Sequence, residues 1–138
     1  MEDLSRYVGI RYVDGGRDIG KDSGLDCYGL CIALYADLFD IHLPDYAHIT
    51  ADKCGNESCS KLLHGSATYQ DFDQVDTPKF GDLIILRSKG TPLHIGFVLD
   101  NTNMLHCNTG TGSVIESFRS IRWKNKISGF YRHKSFSR

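Results

Sequence analysis

Cys27 is the residue whose surroundings best suit it to chemistry. It follows a turn-rich run, residues 14–24, and it opens a stretch of helical apolar period. A thiol in the first turn of a helix sits at the positive end of the helix dipole, which favours thiolate over thiol. The preceding loop leaves that end open, and Gly29 removes bulk beside it. With a base in reach, such a cysteine is a nucleophile. Without one, it is a small buried apolar residue, as unpaired cysteines often are.

The base must come from six histidines. His42, His48, His64 and His133 fall in predicted loops or near the chain end. His94 and His106 fall in adjacent predicted strands, a rigid surface that suits a base and the group that orients it. His94 would take the proton of Cys27, and His106 would hold the His94 ring through its other nitrogen. Each histidine alone reads equally well as an ordinary core or surface residue. Tyr12, ahead of the loop that leads to Cys27, could steady an oxyanion together with the Cys27 backbone N–H. An aromatic core position explains Tyr12 as well.

Strand geometry tests the pairing. Side chains alternate faces along a strand, so His94 and His106 share a face only if paired positions add to an even number. A two-residue turn at 101–102 would pair Asp100 with Asn103 and split the histidines. A three-residue turn over 100–102 pairs Leu99 with Asn103 and sets Gly96 opposite His106. His94 then becomes the diagonal neighbour of His106, about 7–8 Å away by backbone spacing. The site therefore requires an odd-length turn or a bulge.

The elements that must position these groups follow from periodicity. Leu30, Leu34 and Leu38 recur every four residues with Cys31 and Tyr35 beside them, which predicts a helix over 27–39. Asp26 is its natural N-cap. Residues 82–87, 94–100, 103–107, 113–118 and 129–133 read as short strands separated by turn residues. Helix first and then a meander of antiparallel strands is an α+β arrangement. Residues 45–79 read as a variable insertion with a short helix at 58–63. Cys31 and Cys107 read as packing residues.

At 138 residues the chain has the length of one domain, and 41% hydrophobic content is enough for a real core. A net charge of -1 gives no reason to expect nucleic acid as a partner. No run reaches the roughly 18 apolar residues of a membrane span. Residues 1–7 have no apolar stretch of the kind a signal peptide carries, which predicts synthesis in the cytoplasm without one. An odd number of cysteines, five, leaves at least one thiol outside any internal disulfide. Cys54 and Cys59, flanked by His48 and His64, do not have the short spacing of common zinc sites. A disulfide between them is a further reading, and no metal or cofactor is expected.

Several motifs in order resemble the NlpC-type cell-wall peptidases. They are Arg11-Tyr12-Val13-Asp14-Gly15-Gly16, then Gly24-Leu25-Asp26-Cys27-Tyr28-Gly29-Leu30, then Phe80-Gly81-Asp82-Leu83-Ile84. His94-Ile95-Gly96-Phe97-Val98, Met104-Leu105-His106 and Gly129-Phe130-Tyr131-Arg132 continue the match. The resemblance covers nearly the whole chain and is weakest over 45–75. It implies a papain-like α+β fold, with the nucleophile helix packed on a five- to six-stranded antiparallel sheet. It implies hydrolysis of peptidoglycan stem peptides, often between D-glutamate and diaminopimelate or lysine. It makes Cys27 the nucleophile, His94 the base, His106 the third polar residue and Tyr12 an oxyanion helper. Asp26 and Tyr28, beside the nucleophile, are expected at the substrate cleft.

Two departures stand out. Tyr28 replaces the serine usual after the cysteine, and the loop from Tyr12 to Cys27 is a few residues longer. The Asp-Cys-Tyr-Gly-Leu form, with Ile41-His42-Leu43-Pro44-Asp45-Tyr46 after it, is similar to the version found in tailed-phage tail-tip proteins. That likeness implies a virion location and other tail-tip proteins as partners. A structural tail-tip domain, and an amidase or acyltransferase on the same plan, are the competing classes.

Overall fold

Asp26 starts the one α-helix among the described residues. In this computed structural model the described residues are 3–13, 16–19, 23–43, 71–88 and 91–136. The Asp26 carboxylate accepts from the Gly29 backbone N–H at 2.7 Å, which satisfies one of the orphan donors of a helix start. Helix α1 then runs Cys27–Phe39, the bounds that the apolar period predicts. It stops at Asp40, whose φ of 55° is left-handed. A short side chain tolerates that conformation better than a branched one. Leu30, Leu34 and Tyr35 are fully buried along the inner face.

Six strands follow: β1 (Phe72–Val75), β2 (Leu83–Ser88), β3 (Thr91–Val98), β4 (Asn103–Asn108), β5 (Gly112–Ser117) and β6 (Ile127–His133). They form one antiparallel sheet in the order β1-β6-β2-β3-β4-β5. The meander from β2 to β5 matches expectation. β1 does not: it arises inside the stretch read as a variable insertion over 45–79. Its Phe72 and Val75 pair with His133 and Phe130 of β6, so residues 72–75 belong to the sheet. Four residues with one buried anchor, Phe72, are too short to declare a strand by alternation. The short helix expected at 58–63, and Cys54, Cys59, His48 and His64, lie outside the described residues.

The sheet is covered on both faces. Leu83, Ile85, Ile95, Phe97, Leu105 and Cys107 join the buried residues of α1 in the larger core. The alternate positions Ile84, Leu86, Val98 and Met104 pack against Phe118 and Trp123 from the segment between β5 and β6. At the far end of α1, Tyr35 and Phe39 meet Phe97 and Phe136 at centroid distances of 4.8–6.1 Å. Such offset and edge contacts add to area burial. The Tyr35 hydroxyl donates to the Gly81 carbonyl.

Asp82, fully buried, ties the strands together. Arg132 of β6 reaches it with two hydrogen bonds, 2.9 and 2.8 Å, and the Lys79 N–H donates to it at 2.8 Å. A forked pair of this kind matches both oxygens of the carboxylate.

Candidate active site

Gly16 and Arg17 are locked to the first turn of α1 by backbone and charge. The Gly16 carbonyl accepts from the Asp26 N–H at 3.2 Å and from Arg17 Nη1 at 2.9 Å. Arg17 Nη1 also reaches Asp26 Oδ1 at 2.7 Å. These contacts leave no room at Gly29, where an added Cβ would run into the Gly16 carbonyl oxygen. The glycines are thus needed for close approach. Cys27 is the first residue of the helix and is 5% exposed.

Tyr12 lies on the strand-like segment beside this loop. It forms a parallel bridge with Leu25, flanked by bonds from Val13 N–H to the Leu25 carbonyl and from Leu25 N–H to the Arg11 carbonyl, both 3.1 Å. Tyr12 is half-buried against the larger core and borders a cavity of about 270 Å³ between residues 9–12 and 110–112.

The two flanking residues are placed differently from expectation. Tyr28 is fully buried, with the Arg17 guanidinium 5.7 Å from its ring centre. Asp26 is 1% exposed and spends its carboxylate on the helix cap and on Arg17. The chemistry of each is structural: one fills the core behind Cys27, and the other caps the helix that carries it.

The histidines meet as the parity argument requires. β3 pairs with β4 through Phe97↔Leu105 and Val98↔Met104, and the Leu99 N–H donates to the Asn103 carbonyl at 2.8 Å. The turn is therefore the three residues 100–102, held by Asp100, whose carboxylate accepts from the Thr102 and Asn103 N–H groups. His94 Nε2 lies 2.7 Å from His106 Nδ1. His106 is fully buried, and its Nε2 lies 2.8 Å from Glu116 Oε1. Trp123 stacks on His94 with centroids 5.7 Å apart at 15° and stands edge-on to His106 at 5.6 Å. Arg122 approaches the second oxygen of Glu116 at 3.4 Å.

Electrostatics keep this group neutral at the imidazoles. Burial, then the neighbouring His106 and the Arg122 charge, push His94 down to about 3. Burial also lowers His106, opposed by its bond to Glu116. Burial would raise Glu116, but the His106 bond, Trp123 and Arg122 outweigh it and hold the carboxyl below its ordinary value. The Trp123 indole nitrogen is buried and completes no hydrogen bond of ordinary geometry, so it acts on Glu116 as a nearby dipole. Cys31 is pushed well up by burial, and Cys107 is pushed up to about 12, again chiefly by burial. Neither is prepared to act as a thiolate.

Sheet layering sets the relation of thiol and base. Cys27 belongs to the α1-side core with Ile95, Phe97, Leu105 and Cys107. Strand alternation turns His94 and His106 to the Trp123 side. The structure brings His94 to His106 and Glu116, while it holds Cys27 with the helix-side core. The β3–β4 hydrogen-bonded ladder ends at Phe97↔Leu105, next to both histidines, and α1 packs against these same two strands.

Glu116 and Trp123 were missed in the sequence. Glu116 was open to the parity rule: His106 pairs with Val114, which makes Glu116 its diagonal neighbour on the same face, as His94 is on the other side. Trp123 sits in a turn and carries no such signal. Among the described residues no group of three or more His, Cys, Asp or Glu could hold a metal ion, and no helix is long and apolar enough to cross a membrane.

Comparison with known proteins gives a consistent result. Residues 9–132 match the NlpC/P60 family. The murein DD-endopeptidase MepS/murein LD-carboxypeptidase of Escherichia coli K12 is 25% identical over 128 residues, covering 93% of this chain and 58% of that protein. The probable endopeptidase NlpC homolog of Haemophilus influenzae is 26% identical over 119 residues, covering 86% of this chain and 53% of that protein. The chain thus spans little more than half the length of these relatives. Among solved structures, the NlpC/p60 domain of the peptidoglycan hydrolase SagA superposes with a TM-score of 0.63 at 20% identity, over 94% of this chain and 92% of that one. The peptidoglycan hydrolase RipB of Mycobacterium tuberculosis gives 0.64 at 18% identity, over 97% and 62%. At these identities the structures speak to the fold, which is the papain-like one.

Proposed function

Because the chain belongs to the NlpC/P60 family, we propose that it is a cysteine endopeptidase that cuts peptide bonds in peptidoglycan stem peptides. The observation that carries this reading is the hydrogen-bonded His94–His106 pair in a chain whose helix-start cysteine matches the family motif. Cys27 attacks the scissile carbonyl carbon while Nδ1 of His94 takes the thiol proton. The Cys27 backbone N–H and the Tyr12 hydroxyl are the donors assigned to the oxyanion. Collapse of the tetrahedral intermediate breaks the C–N bond, and His94 returns the proton to the leaving amine. Water then hydrolyses the thioester, with His94 as base.

The bond between D-glutamate and diaminopimelate or lysine is the finer substrate reading, and it rests on the motif resemblance. The relationship to a murein DD-endopeptidase favours a second reading, the D,D-peptide cross-link. A tail-tip role in a virion, with other tail proteins as partners, rests on the Asp-Cys-Tyr-Gly-Leu motif and the residues after α1.

Mass spectrometry of peptidoglycan digested by the wild type and by Cys27→Ala tests all of this. New amino termini on the diamino acid, absent with Cys27→Ala, support the first bond. Loss of cross-linked dimers with intact monomer stems supports the second. Release of whole stem peptides from the glycan would instead identify an amidase. Identical digests from the two proteins would remove the peptidase reading. Failed tail assembly in a phage carrying Cys27→Ala would favour a structural role.

A further inference from the structure

Beyond the pair of histidines lies a third member with a defined chemical part. An ionised carboxylate only accepts hydrogen bonds. Glu116 Oε1 stands 2.8 Å from His106 Nε2, so the proton between them is on His106 Nε2. A neutral imidazole carries one ring proton, which leaves Nδ1 of His106 as a lone pair. That nitrogen lies 2.7 Å from His94 Nε2, so His94 must hold its own proton on Nε2. The remaining nitrogen of His94, Nδ1, is then a lone pair. Each proton is dictated by the one before it, and the sequence of constraints begins at Glu116.

Without the carboxylate the chain of bonds has a second solution. Both imidazoles can reverse, so that His106 donates from Nδ1 and His94 donates from Nδ1. The reversed form presents N–H, rather than a lone pair, to an approaching thiol. It is useless as a base. We propose that Glu116 is a positioning residue which, through His106, selects the arrangement in which Nδ1 of His94 is the basic nitrogen. This deepens the peptidase reading above and rests on it for its consequence in catalysis; the proton arrangement itself does not depend on any substrate.

The surroundings support the assignment. Arg122 lies 3.4 Å from the other oxygen of Glu116 and helps to keep it ionised. Arg122 and Lys126 also flank the Trp123 ring, at 4.8 and 5.5 Å from its centre. Desolvation and the Arg122 charge disfavour a proton on both nitrogens of either ring, and such a proton would break the ordered pattern. Arg122 thus favours neutral rings, and Glu116 sets direction. The register that aims Glu116 is set by β5, whose Glu116 faces Met104 while His106 faces Val114.

Glu116→Gln tests this, because glutamine keeps the shape but can donate or accept and so no longer selects one arrangement. Ring-nitrogen NMR of ¹⁵N-histidine-labelled protein reads the proton positions directly. Wild type is expected to show His94 and His106 both protonated at Nε2. Glu116→Gln should show mixed populations at both rings with an unchanged circular dichroism spectrum. On peptidoglycan, kcat should fall about 10- to 100-fold with KM within about twofold, and Glu116→Asp should recover part of the loss. A folded Glu116→Gln protein with wild-type ring-nitrogen signals would overturn the proposal, whatever its activity. Mixed ring signals with an unchanged kcat would also overturn it as a statement about catalysis. If the wild type cleaves no peptidoglycan, the function proposed above fails, while the ring signals still decide the role of Glu116.

Discussion

Cys27, Cys31 and Cys107 share one core, yet the fold prepares them for different fates. Cys31 and Cys107 are raised out of the thiolate range by burial, and the Cys107 thiol lies 3.2 Å from the Leu25 carbonyl as a donor. Cys27 has the helix start instead. Brief treatment with iodoacetamide at neutral pH, mapped by peptide mass spectrometry, should label Cys27 and spare Cys31 and Cys107 until the protein is unfolded. His94→Ala should slow the labelling of Cys27 about tenfold or more, because the thiol loses its proton acceptor. Equal labelling rates with and without His94 would disconnect the two. At this scale the sequence was legible where position alone determines chemistry. Cys27 stands beside a cap residue, and the two histidines obey a parity rule. Tyr28 and Asp26 were misread because sequence adjacency to a nucleophile does not say which way a helical side chain turns. Residue 28 points a hundred degrees round the helix from residue 27, into the core.

The helix and the strand pairs are the units that make these residues meet. α1 was legible to its last residue because a four-residue apolar repeat and an N-cap both marked it. β1 was not, since its burial depends on β6, some fifty-five residues later in the chain. Gly29 offers a test at this scale. Alanine is favoured over glycine inside a helix by about 1 kcal/mol, so propensity alone predicts stabilisation. Here the added methyl meets the Gly16 carbonyl, and overpacking of this kind costs about 1–3 kcal/mol. Gly29→Ala is therefore expected to lower the midpoint of urea unfolding, and a raised midpoint would show that Gly16 is not held against the helix start as described. Asp26→Ala should cost more, about 3 kcal/mol, because it removes a cap and leaves Arg17 with its partner gone. Asp26→Asn, which keeps the cap, should cost less.

For the molecule as a whole, desolvated imidazoles make stability depend on pH. His94, His106 and His133 are all lowered from 6.5, with burial the leading cause in each. A group whose folded pKa lies below its unfolded value binds more protons when unfolded, so its contribution is present above 6.5 and is lost as pH falls. Between pH 6.5 and 4.5, ahead of the carboxylate range, the thermal midpoint should decline. His94→Asn should flatten that decline, since His94 carries the largest shift, to about 3. A midpoint constant over this interval would contradict the burial of the pair. Across strands, Arg132→Ala should be among the more damaging single changes. It strands the buried Asp82 carboxylate, which is expected to cost about 3–5 kcal/mol in chemical denaturation. The α+β class and the central meander were legible because strands 83–117 are local hairpins. The placement of β6 between β1 and β2 was not, because nothing local records which distant edge a final strand will fill.

The cavity beside Tyr12 is bounded by a segment whose hold comes from far along the chain. Ser113 is the anchor of the amino-terminal segment: its hydroxyl donates to the Tyr7 carbonyl at 2.6 Å and accepts from the Ile10 N–H at 2.8 Å. The Gly9 N–H donates to the Ser113 carbonyl, and the Ser113 N–H to the Ile10 carbonyl. The segment that leads into the nucleophile loop therefore has its mooring about a hundred residues downstream. A nascent chain still on the ribosome with residues 1–100 made would possess the thiol and His94, but neither His106 nor Ser113. Contacts of such long separation close late, after the local hairpins. A domain whose amino-terminal segment is moored at Ser113 cannot assemble its candidate site until that residue and His106 have been made.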